Sequence, residues 1–463
     1  MPKIAFIGAG STVFAKNLMG DILSHPELAE STIVLHDIDE HRLELSRRVG
    51  LRVAETLGVK PQFIATTDRE RALEGADYAI NMIQVGGYEP STVIDFEIPK
   101  QFGLRQTIGD TLGVGGIMRA LRTVPVLLEM AHDMERLAPD VLHINYVNPM
   151  AMNCMALDRA TNIQTVGLCH SVPHTAGELA ADLDLPEDEL DYLVAGINHV
   201  AFFLRLEHAG KSVYPELRRV LREGRIPDHN RARYELFEQF GYFVTESSEH
   251  LAEYVPWFIK EGRNDLLERY NIPIDEYLYR SQAGIASWDF IERELEQPGS
   301  QNPDLLRAKL EETPLMPTMV EGAVEAFASL NEVNRSSEYG AQIIHAIETD
   351  TPTRIYGNVP NRGLIENLPD DACVELPALV DGQGVQPTQI GRIPPHLAAL
   401  MQTNINVQSL TVEALITENR EHVYHAAMLD PHTAAELDLK QIRDLVDALI
   451  EAHGDMIPEA LRH

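Results

Sequence analysis

Two residues near the middle of the chain have side chains that could hold a metal ion. Cys169 begins the tetrad Cys-His-Ser-Val, and His199 ends the tetrad Gly-Ile-Asn-His 30 positions later. The spacing does not fit one helix, and each residue follows a predicted strand end or turn. A thiolate and an imidazole suit zinc or another borderline metal, and two protein ligands leave positions open for sugar hydroxyls and water. The residues alone support a catalytic metal pair and two buried structural side chains equally.

The first residues predict a nucleotide-binding turn. A short apolar strand runs into Gly8, Gly10, Ser11 and Thr12. Gly8 permits a tight turn, Gly10 lets the backbone approach a pyrophosphate, and a helix from about Thr12 offers free N–H groups to it. The third position of the usual glycine pattern is Val13, so the motif is specific only in its context.

That context includes an acidic residue at the end of the second strand. The strand 32–37 ends in Asp37, whose carboxylate would accept hydrogen bonds from an adenosine ribose and repel a 2′-phosphate, which favours NAD over NADP. The alternative is that Asp37 only caps the following helix, which starts near Asp39. A third strand, 76–85, ends in a glycine loop from Gly86 that should line the same crevice.

Two further apolar strands also end in polar residues. The strand 141–147 is followed by Asn148, and the strand 165–168 is followed by Cys169 and His170. In a doubly wound parallel sheet, ligands lie beyond the carboxyl ends of the strands. We therefore expect these side chains to meet the cofactor in one crevice.

The order of strands and helices predicts a two-part α/β protein. Residues 1–195 should form a Rossmann-like doubly wound parallel sheet that binds NAD. Beyond them the pattern becomes more helical, so residues 196–463 should form a mixed α/β domain for substrate, metal and subunit contacts. The regular segments predicted there are two strands and two helical stretches, at 200–206, 373–380, 395–429 and 441–453.

Composition excludes several classes of protein. The formal net charge of −33 disfavours nucleic acid and anionic membranes, because both need a basic surface. No apolar run is long enough to span a bilayer, and the N-terminus lacks the features of a signal peptide, so we expect a cytoplasmic protein. Three cysteines do not suggest a disulfide framework.

Five segments of the chain closely resemble glycoside hydrolase family 4. This family depends on NAD and a divalent metal, unlike glycosidases that use two carboxylates. The resemblance continues through the whole chain, and the Cys-His-Ser-Val tetrad is most similar to that of the family's α-galactosidases. It implies an architecture of the lactate and malate dehydrogenase type, and a homodimer or homotetramer. The five segments are 8–11, 110–119, 148–150, 169–172 and 196–199.

The resemblance implies a reaction through temporary oxidation. NAD⁺ takes hydride from C3 of the sugar, a base removes the C2 proton, the aglycone leaves C1, and water adds before the hydride returns. Cys169 and His199 are implied to hold the metal, with Mn²⁺ as the expected ion. Asn148 is implied to bind substrate, and Asp110 to tune the base. A helix cap ahead of 115–116 is the alternative for Asp110.

The proton carriers are less defined by the sequence. Some relatives carry an aspartate directly after the metal-binding cysteine, where this chain has His170. An imidazole can act as a general acid near neutral pH, and a structural role for His170 is an equal alternative. The base in relatives is often a tyrosine of the second domain, which makes Tyr254 the first candidate and Glu246 and His250 its rivals.

The expected activity is hydrolysis of terminal α-galactosides of the melibiose type. An α-galacturonidase or α-glucuronidase of the same family is the first alternative, because galactose and galacturonate differ at C6. No arginine in the sequence stands out as a partner for a sugar carboxylate. A 2-hydroxy-acid dehydrogenase would share the fold, but it would need an Asp–His pair and an arginine clamp, and it gives Cys169 no purpose. A non-catalytic NAD-sensing module would bind NAD without metal or turnover.

Overall fold

The fold is that of a computed structural model, which describes residues 1–313, 315, 317–336 and 338–463. Within these residues, twelve strands join in one sheet. The strands are β1 Lys3–Ile7, β2 Thr32–His36, β3 Gln62–Thr66, β4 Tyr78–Asn81, β5 Leu142–Asn145, β6 Gln164–Gly167, β7 Leu190–Ile197, β8 Val200–His208, β9 Lys211–Ser212, β10 Thr353–Pro360, β11 Cys373–Asp381 and β12 Gly384–Pro387.

Helices cover both faces of this sheet. The α-helices are α1 Thr12–Leu23, α2 Glu40–Leu57, α3 Arg69–Leu73, α4 Val93–Gln101, α5 Gly113–Leu137, α6 Met150–Ala160, α7 Ser171–Asp182, α8 Tyr214–Arg222, α9 Arg231–Phe240, α10 Ser248–Tyr254, α11 Asn264–Tyr270, α12 Glu276–Glu296, α13 Pro303–Leu310, α14 Pro317–Ala328, α15 Tyr339–Thr349, α16 Pro395–Thr417, α17 Glu421–Leu429, α18 Pro431–Glu436, α19 Leu439–His453 and α20 Glu459–Arg462. Short 3-10 helices or an irregular helical turn lie at Pro26–Leu28, Gly87–Thr92, Glu187–Glu189, Asp228–Asn230, Ser329–Asn331 and Gly454–Met456.

The N-terminal part is a parallel sheet in the order β3-β2-β1-β4-β5-β6. This is the strand order of dinucleotide-binding folds, in which the ligand crevice opens where the order reverses between β1 and β4. The strands are short apolar runs because helices bury both of their faces; all four residues of β4 are buried. The predicted Rossmann-like parallel sheet is confirmed.

The sheet continues with antiparallel strands, of which β7 spans the predicted boundary at residue 195 and the others lie in the second part. β10 pairs with β6 through Asn358 and Gly167, and β11, β7, β8 and β9 follow in that order. Gly167 has no room for a side chain, since an added Cβ would lie 2.3 Å from the sulfur of Met150. The predicted mixed α/β character of this part is confirmed, but no feature of the sequence predicts that one sheet would cross both parts.

Beyond β6, the strands β7, β9, β10 and β12 were not predicted. Among β1–β6, two strands differ from the prediction for physical reasons. The run 76–85 forms a strand only at β4, because the chain leaves the sheet after Asn81 and enters the glycine loop. β3 was not predicted. It is an edge strand whose first residue is exposed and whose next three are only partly buried, so its sequence shows little hydrophobic patterning.

Helices from the second part also reach over the nucleotide-binding half. Lys16 on α1 donates to the Ser329 carbonyl at 2.9 Å, and the Arg42 guanidinium on α2 lies 4.7 Å above the Trp288 ring on α12. Residues of α12 and α14 line the cavity at the ends of β1, β2 and β4, so these two helices form one of its walls. In the described part of the chain, no helix combines the length and apolarity needed to cross a membrane.

Candidate active site

Three potential metal ligands meet beyond the carboxyl end of β6. The Cys169 sulfur lies 3.3 Å from His199 Nε2, and His199 Nε2 lies 3.1 Å from a Glu246 carboxylate oxygen. The same oxygen is 3.9 Å from the sulfur, and the three ligand atoms all lie within 4.8 Å of one another. We call these three residues the metal cluster. A thiolate, an imidazole and a carboxylate together offer both soft and hard donors to a divalent cation.

The backbone that presents the metal cluster is unusual at two of its three positions. His199 occupies the turn between β7 and β8 with φ of +66°, and Glu246 has φ of +68°. Residues other than glycine rarely adopt this region, and such strain concentrates at functional sites. The buried guanidinium of Arg233 supports one of these turns, because its Nη1 donates to the Glu246 carbonyl at 2.7 Å.

Protonation in the metal cluster depends on burial and on neighbouring charges. Burial raises the pKa of the Cys169 thiol well above its usual range, and the carboxylates of Glu246 and Glu375 add to the effect. Burial would also raise the pKa of Glu246, but His199 and His250 lower it to about 2. Glu246 is therefore ionised, whereas the Cys169 sulfur keeps its proton until a cation takes its place.

Tyr254, the first candidate for the base, lies behind His199. Its hydroxyl is 3.1 Å from His199 Nδ1, the ring nitrogen that faces away from Cys169, and its side chain is 0% exposed. A group bonded to the second nitrogen of a metal-binding histidine fixes the tautomer and the orientation of the ring. This contact suits an orienting role.

His250, one of the rivals, lies one helical turn before Tyr254 on α10, with the two rings 6.1 Å apart. Its Nδ1 is 2.7 Å from the Ser247 hydroxyl and 3.4 Å from a Glu246 oxygen, and its ring meets the His199 ring edge-on at 5.1 Å. His250 thus adjoins the metal cluster through its contact with Glu246.

Asp110 and Asn148 form a second polar group beside the cluster. The Asn148 amide donates to an Asp110 oxygen at 3.1 Å, and the Thr111 hydroxyl donates to the other oxygen at 2.7 Å. Burial would raise the pKa of Asp110, but Arg119, His250 and His199 lower it. The cap position of α5 is Leu112, so Asp110 is not the helix cap that the sequence offered as an alternative.

A buried carboxylate holds the loop that carries Asp110. Glu253 accepts hydrogen bonds from the backbone N–H groups of Thr107, Ile108 and Gly109 at 2.8–3.2 Å. Burial raises the pKa of Glu253 to about 7, although these N–H donors oppose the rise. Sequence reasoning missed Glu253, because nothing in its local pattern shows that it faces a loop more than 140 residues away.

His170 faces a different partner from its neighbour Cys169. Its Nε2 is paired with the carboxylate of Glu338, the residue before α15, and its side chain is 56% exposed. Partial burial would lower the pKa of His170, but the pairing with Glu338 raises it. The aromatic rings of Phe14 and Tyr146 lie 6.1 Å from the imidazole.

All six residues predicted to bind the cofactor line one cavity of about 1400 Å³. It extends from the end of β1 past the ends of β2 and β4 to α12. The lining residues include Gly8, Gly10, Ser11, Thr12, Asp37 and Gly86.

Asp37 holds the glycine turn and does not cap the next helix. One carboxylate oxygen accepts from the Gly10 N–H at 2.7 Å, whereas Asp39 caps α2. A Cβ at Gly10 would lie 2.7 Å from that oxygen, so this position needs glycine. The cavity also includes Trp288, which sequence reasoning missed because α12 lies outside the nucleotide-binding fold.

The structure thus brings together most of the predicted site, in two adjoining regions. Cys169 and His199 face each other, and Asn148 and Asp110 are hydrogen-bonded partners. Glu246 was considered only as a rival base, and its place among the ligand atoms could not be read from its sequence. Glu375 was not considered. It is completely buried on β11 near the cluster, and burial raises its pKa to about 7.

The solved structures of similar fold include one in complex with NAD and Mn²⁺, the two cofactors that the sequence suggests. A putative glucosidase, LplD from Bacillus subtilis, matches with a TM-score of 0.80 and 24% identity over 97% of this chain and 99% of that one. A 6-phospho-alpha-glucosidase from gut microorganisms, solved in complex with NAD and Mn²⁺, matches with a TM-score of 0.75 and 21% identity over 99% of both chains.

Comparisons of sequence establish the family. The family model described as Family 4 glycosyl hydrolase matches residues 3–185, and the model of its C-terminal domain matches residues 194–433. An alpha-galactosidase of Bacillus subtilis (strain 168) is 45% identical over 99% of this chain and 100% of its own length. An alpha-galactosidase of Rhizobium meliloti (strain 1021) is 34% identical over 99% and 89%. The chain belongs to the family 4 glycosyl hydrolases.

Proposed function

We propose that this glycosidase is an α-galactosidase that hydrolyses terminal α-galactosides with the help of NAD and a divalent metal, with Mn²⁺ as the expected ion. The observation that carries the proposal is the metal cluster beside a dinucleotide cavity at the carboxyl ends of one parallel sheet. Both relatives described above, at 45% and 34% identity, are named alpha-galactosidases, which favours this sugar over an α-galacturonide or an α-glucuronide.

The donor set fits a catalytic divalent metal. Cys169, His199 and Glu246 supply sulfur, nitrogen and oxygen, and a site with only three protein ligands keeps positions for substrate and water. Mn²⁺ prefers oxygen donors, and the ionised Glu246 carboxylate provides one where the sequence suggested only Cys169 and His199. We therefore propose Glu246 as a third ligand.

The cavity fits NAD. The turn after β1 brings its backbone against the cavity, and α1 starts there with Thr12, so free N–H groups face the position of a pyrophosphate. Asp37 lies at the end of β2, where a carboxylate suits the ribose hydroxyls of NAD and disfavours NADP. When bound, the two cofactors supply reversible oxidation at C3 of the sugar and stabilisation of the charge that develops when C2 loses its proton.

The protein's own residues then position the sugar and move protons. We assign Asn148 to a sugar hydroxyl, because its amide is already held by the Asp110 carboxylate. Asp110 would tune the basicity of the group that takes the C2 proton. His170, held by Glu338 and adjacent in the chain to Cys169, is the proposed general acid for the leaving group. If His170 is the general acid, His170→Asn should slow cleavage of substrates with poor leaving groups more than of those with activated aglycones. A purely structural role predicts that both rates stay unchanged.

Two residues, Tyr254 and His250, are candidates for the base that takes the C2 proton. Tyr254 was the first candidate from the sequence, and it stays a prediction. Its hydrogen bond to His199 Nδ1 supports an orienting role, whereas His250 lies beside the cluster with its Nδ1 on Ser247 and Glu246. If a variant of either residue loses exchange of the C2 proton but keeps its affinity for the metal, that residue is the base.

Three wider features complete the proposal. The boundary near residue 195 divides a cofactor-binding part, 1–195, from a part for substrate, metal and subunit contacts, 196–463. The enzyme acts as a homodimer or homotetramer on a small-molecule glycoside. It works in the cytoplasm, where NAD is available.

The direct test is release of p-nitrophenol from p-nitrophenyl α-galactoside. The protein is freed of metal and nucleotide, and then assayed with NAD⁺, Mn²⁺ and a reductant, with either cofactor omitted, or with the α-galacturonide in place of the galactoside. Release from the galactoside that requires both cofactors supports the proposal. Cleavage of the galacturonide alone would replace the sugar and keep the mechanism, and NADH accumulating on a 2-hydroxy acid without glycoside cleavage would replace the reaction.

A further inference from the structure

A second group of metal-ligating side chains lies on the surface away from the active site. His25 and His345 stack with ring centroids 4.0 Å apart and an interplanar angle of 25°. His345 Nε2 is 3.4 Å from a carboxylate oxygen of Glu27. The three potential ligand atoms all lie within 4.8 Å of one another, as do those of the metal cluster.

Two anchored segments present these side chains. His25 and Glu27 belong to the turn after α1, in which the His25 N–H donates to the Ile22 carbonyl and the His25 carbonyl accepts from the Leu28 N–H. Ile22 and Leu28 are completely buried, so this turn is fixed to the core. His345 lies on α15 directly after the fully buried Ile344. Folding therefore holds the backbones of the three residues close together, and a shared ion requires one imidazole to rotate out of the stack so that both ring nitrogens point at it.

We propose that His25, Glu27 and His345 form a second divalent-metal site of the zinc type, separate from the metal cluster. Two imidazoles and one carboxylate, with a fourth position for water, are a donor set that zinc and similar late transition metals favour. A neutral imidazole offers a ring-nitrogen lone pair to a metal ion.

One ligand-to-ligand distance already matches that around a bound ion. Zinc bound at about 2.0–2.1 Å to each ligand in a tetrahedron separates the ligand atoms by about 3.3 Å. Glu27 and His345 are already 3.4 Å apart, and rotation of the Glu27 side chain, which is 52% exposed, changes its distance to the other ligand without moving the backbone. Arg335 donates to the Ser24 carbonyl nearby and opposes a cation, while the Glu27 carboxylate offsets one positive charge.

An ion at this site would connect the two parts of the protein. His25 and Glu27 belong to the nucleotide-binding half, and His345 belongs to a helix of the second part. That helix, α15, begins next to Glu338, the partner of His170, and its Gly340 N–H donates to the Tyr146 hydroxyl at 3.0 Å. The site would therefore fix α15, and with it the position of Glu338 beside His170, to the nucleotide-binding half.

Cobalt titration of the untagged, metal-free protein tests the proposal. Co²⁺ bound through Cys169 gives a thiolate-to-cobalt charge-transfer band, whereas Co²⁺ on two imidazoles and a carboxylate gives only weak visible bands. We expect the wild-type protein to bind about two ions per chain, one of each spectral class. His345→Gln should lose the class without the charge-transfer band, and Cys169→Ser should lose the band. His422→Gln is the matched control and should keep both classes.

Stability and activity separate this proposal from the proposed function. Zinc should raise the Tm of Cys169→Ser, and the increase should disappear in Cys169→Ser with His345→Gln; Glu27→Gln serves in place of His345→Gln if the latter does not fold. His345→Gln should still hydrolyse the α-galactoside. Absence of the cobalt class without the charge-transfer band in the wild-type protein, or an unchanged class of this kind in His345→Gln, would overturn the second site and leave the glycosidase proposal intact.

Discussion

Replacing Tyr254 with phenylalanine tests whether this residue orients the metal-binding imidazole. The Tyr254 hydroxyl lies 3.1 Å from His199 Nδ1, and the side chain is completely buried, so no water can replace the lost partner without entering the core. The variant removes one oxygen and keeps the ring that packs against His199. What changes is the hydrogen bond that fixes the tautomer and direction of the imidazole.

The expected loss follows from that single contact. Removing an outer partner of a metal-binding histidine typically weakens metal affinity about 10–100-fold, equivalent to about 1.4–2.7 kcal/mol. Tyr254→Phe should raise the Kd for Mn²⁺ by this factor while NAD⁺ affinity stays unchanged, because the cofactor cavity does not include Tyr254. At saturating Mn²⁺, kcat should largely recover.

The assay is a titration of metal-free protein with Mn²⁺, in which electron paramagnetic resonance counts the free ion, followed by kcat at saturating metal. Tyr214→Phe is the matched control, since Tyr214 is also buried but donates to the Phe203 carbonyl away from the cluster. Unchanged Mn²⁺ affinity together with a loss of about 10³-fold or more in kcat would refute the orienting role and identify Tyr254 as the base.

Three other predictions concern the metal and the cofactor. Glu246→Gln should weaken Mn²⁺ binding by at least about tenfold, because it removes the only carboxylate of the donor set. Calorimetric titration measures the affinity, and a variant that binds Mn²⁺ as tightly as the wild-type protein would exclude Glu246 as a ligand. Because burial raises the pKa of Cys169 and metal binding must displace the thiol proton, Mn²⁺ affinity should rise with pH, about tenfold per unit below that pKa; titrations at several pH values check this slope, and Cys169→Ser should flatten it. NAD⁺ should change tryptophan fluorescence in the wild-type protein and in Trp257→Phe but not in Trp288→Phe, because Trp288 lines the cavity and Trp257 packs on Phe240 elsewhere; a signal that persists without Trp288 would place α12 away from the cofactor.

The parts of the site that sequence predicts are those that a regular sheet positions. Asn148 and Cys169 follow neighbouring parallel strands, and the carboxyl ends of such strands share one edge, so their meeting follows from the strand order. The glycine turn and Asp37 are predictable for the same reason.

The remaining parts depend on packing between segments that are distant in sequence. Glu246 and Tyr254 reach His199 from the segment 241–254, which joins the site only after it has packed against β8. Glu253 is recognisable only once its carboxylate meets the loop before α5. The pairing of β6 with β10, and the placing of α12 over the cavity, likewise join residues more than 190 positions apart, and no local pattern encodes such contacts.

The central claim is that the glycosidic bond breaks by oxidation and elimination, and isotope exchange at C2 tests it most directly. The enzyme with NAD⁺ and Mn²⁺ cleaves an α-galactoside in D₂O, and nuclear magnetic resonance examines the galactose released. The account predicts deuterium at C2 of the product, because a base removes that proton before the aglycone leaves and solvent returns it. Galactose with its original hydrogen at C2 would show that the bond was cleaved by direct displacement and would contradict the account.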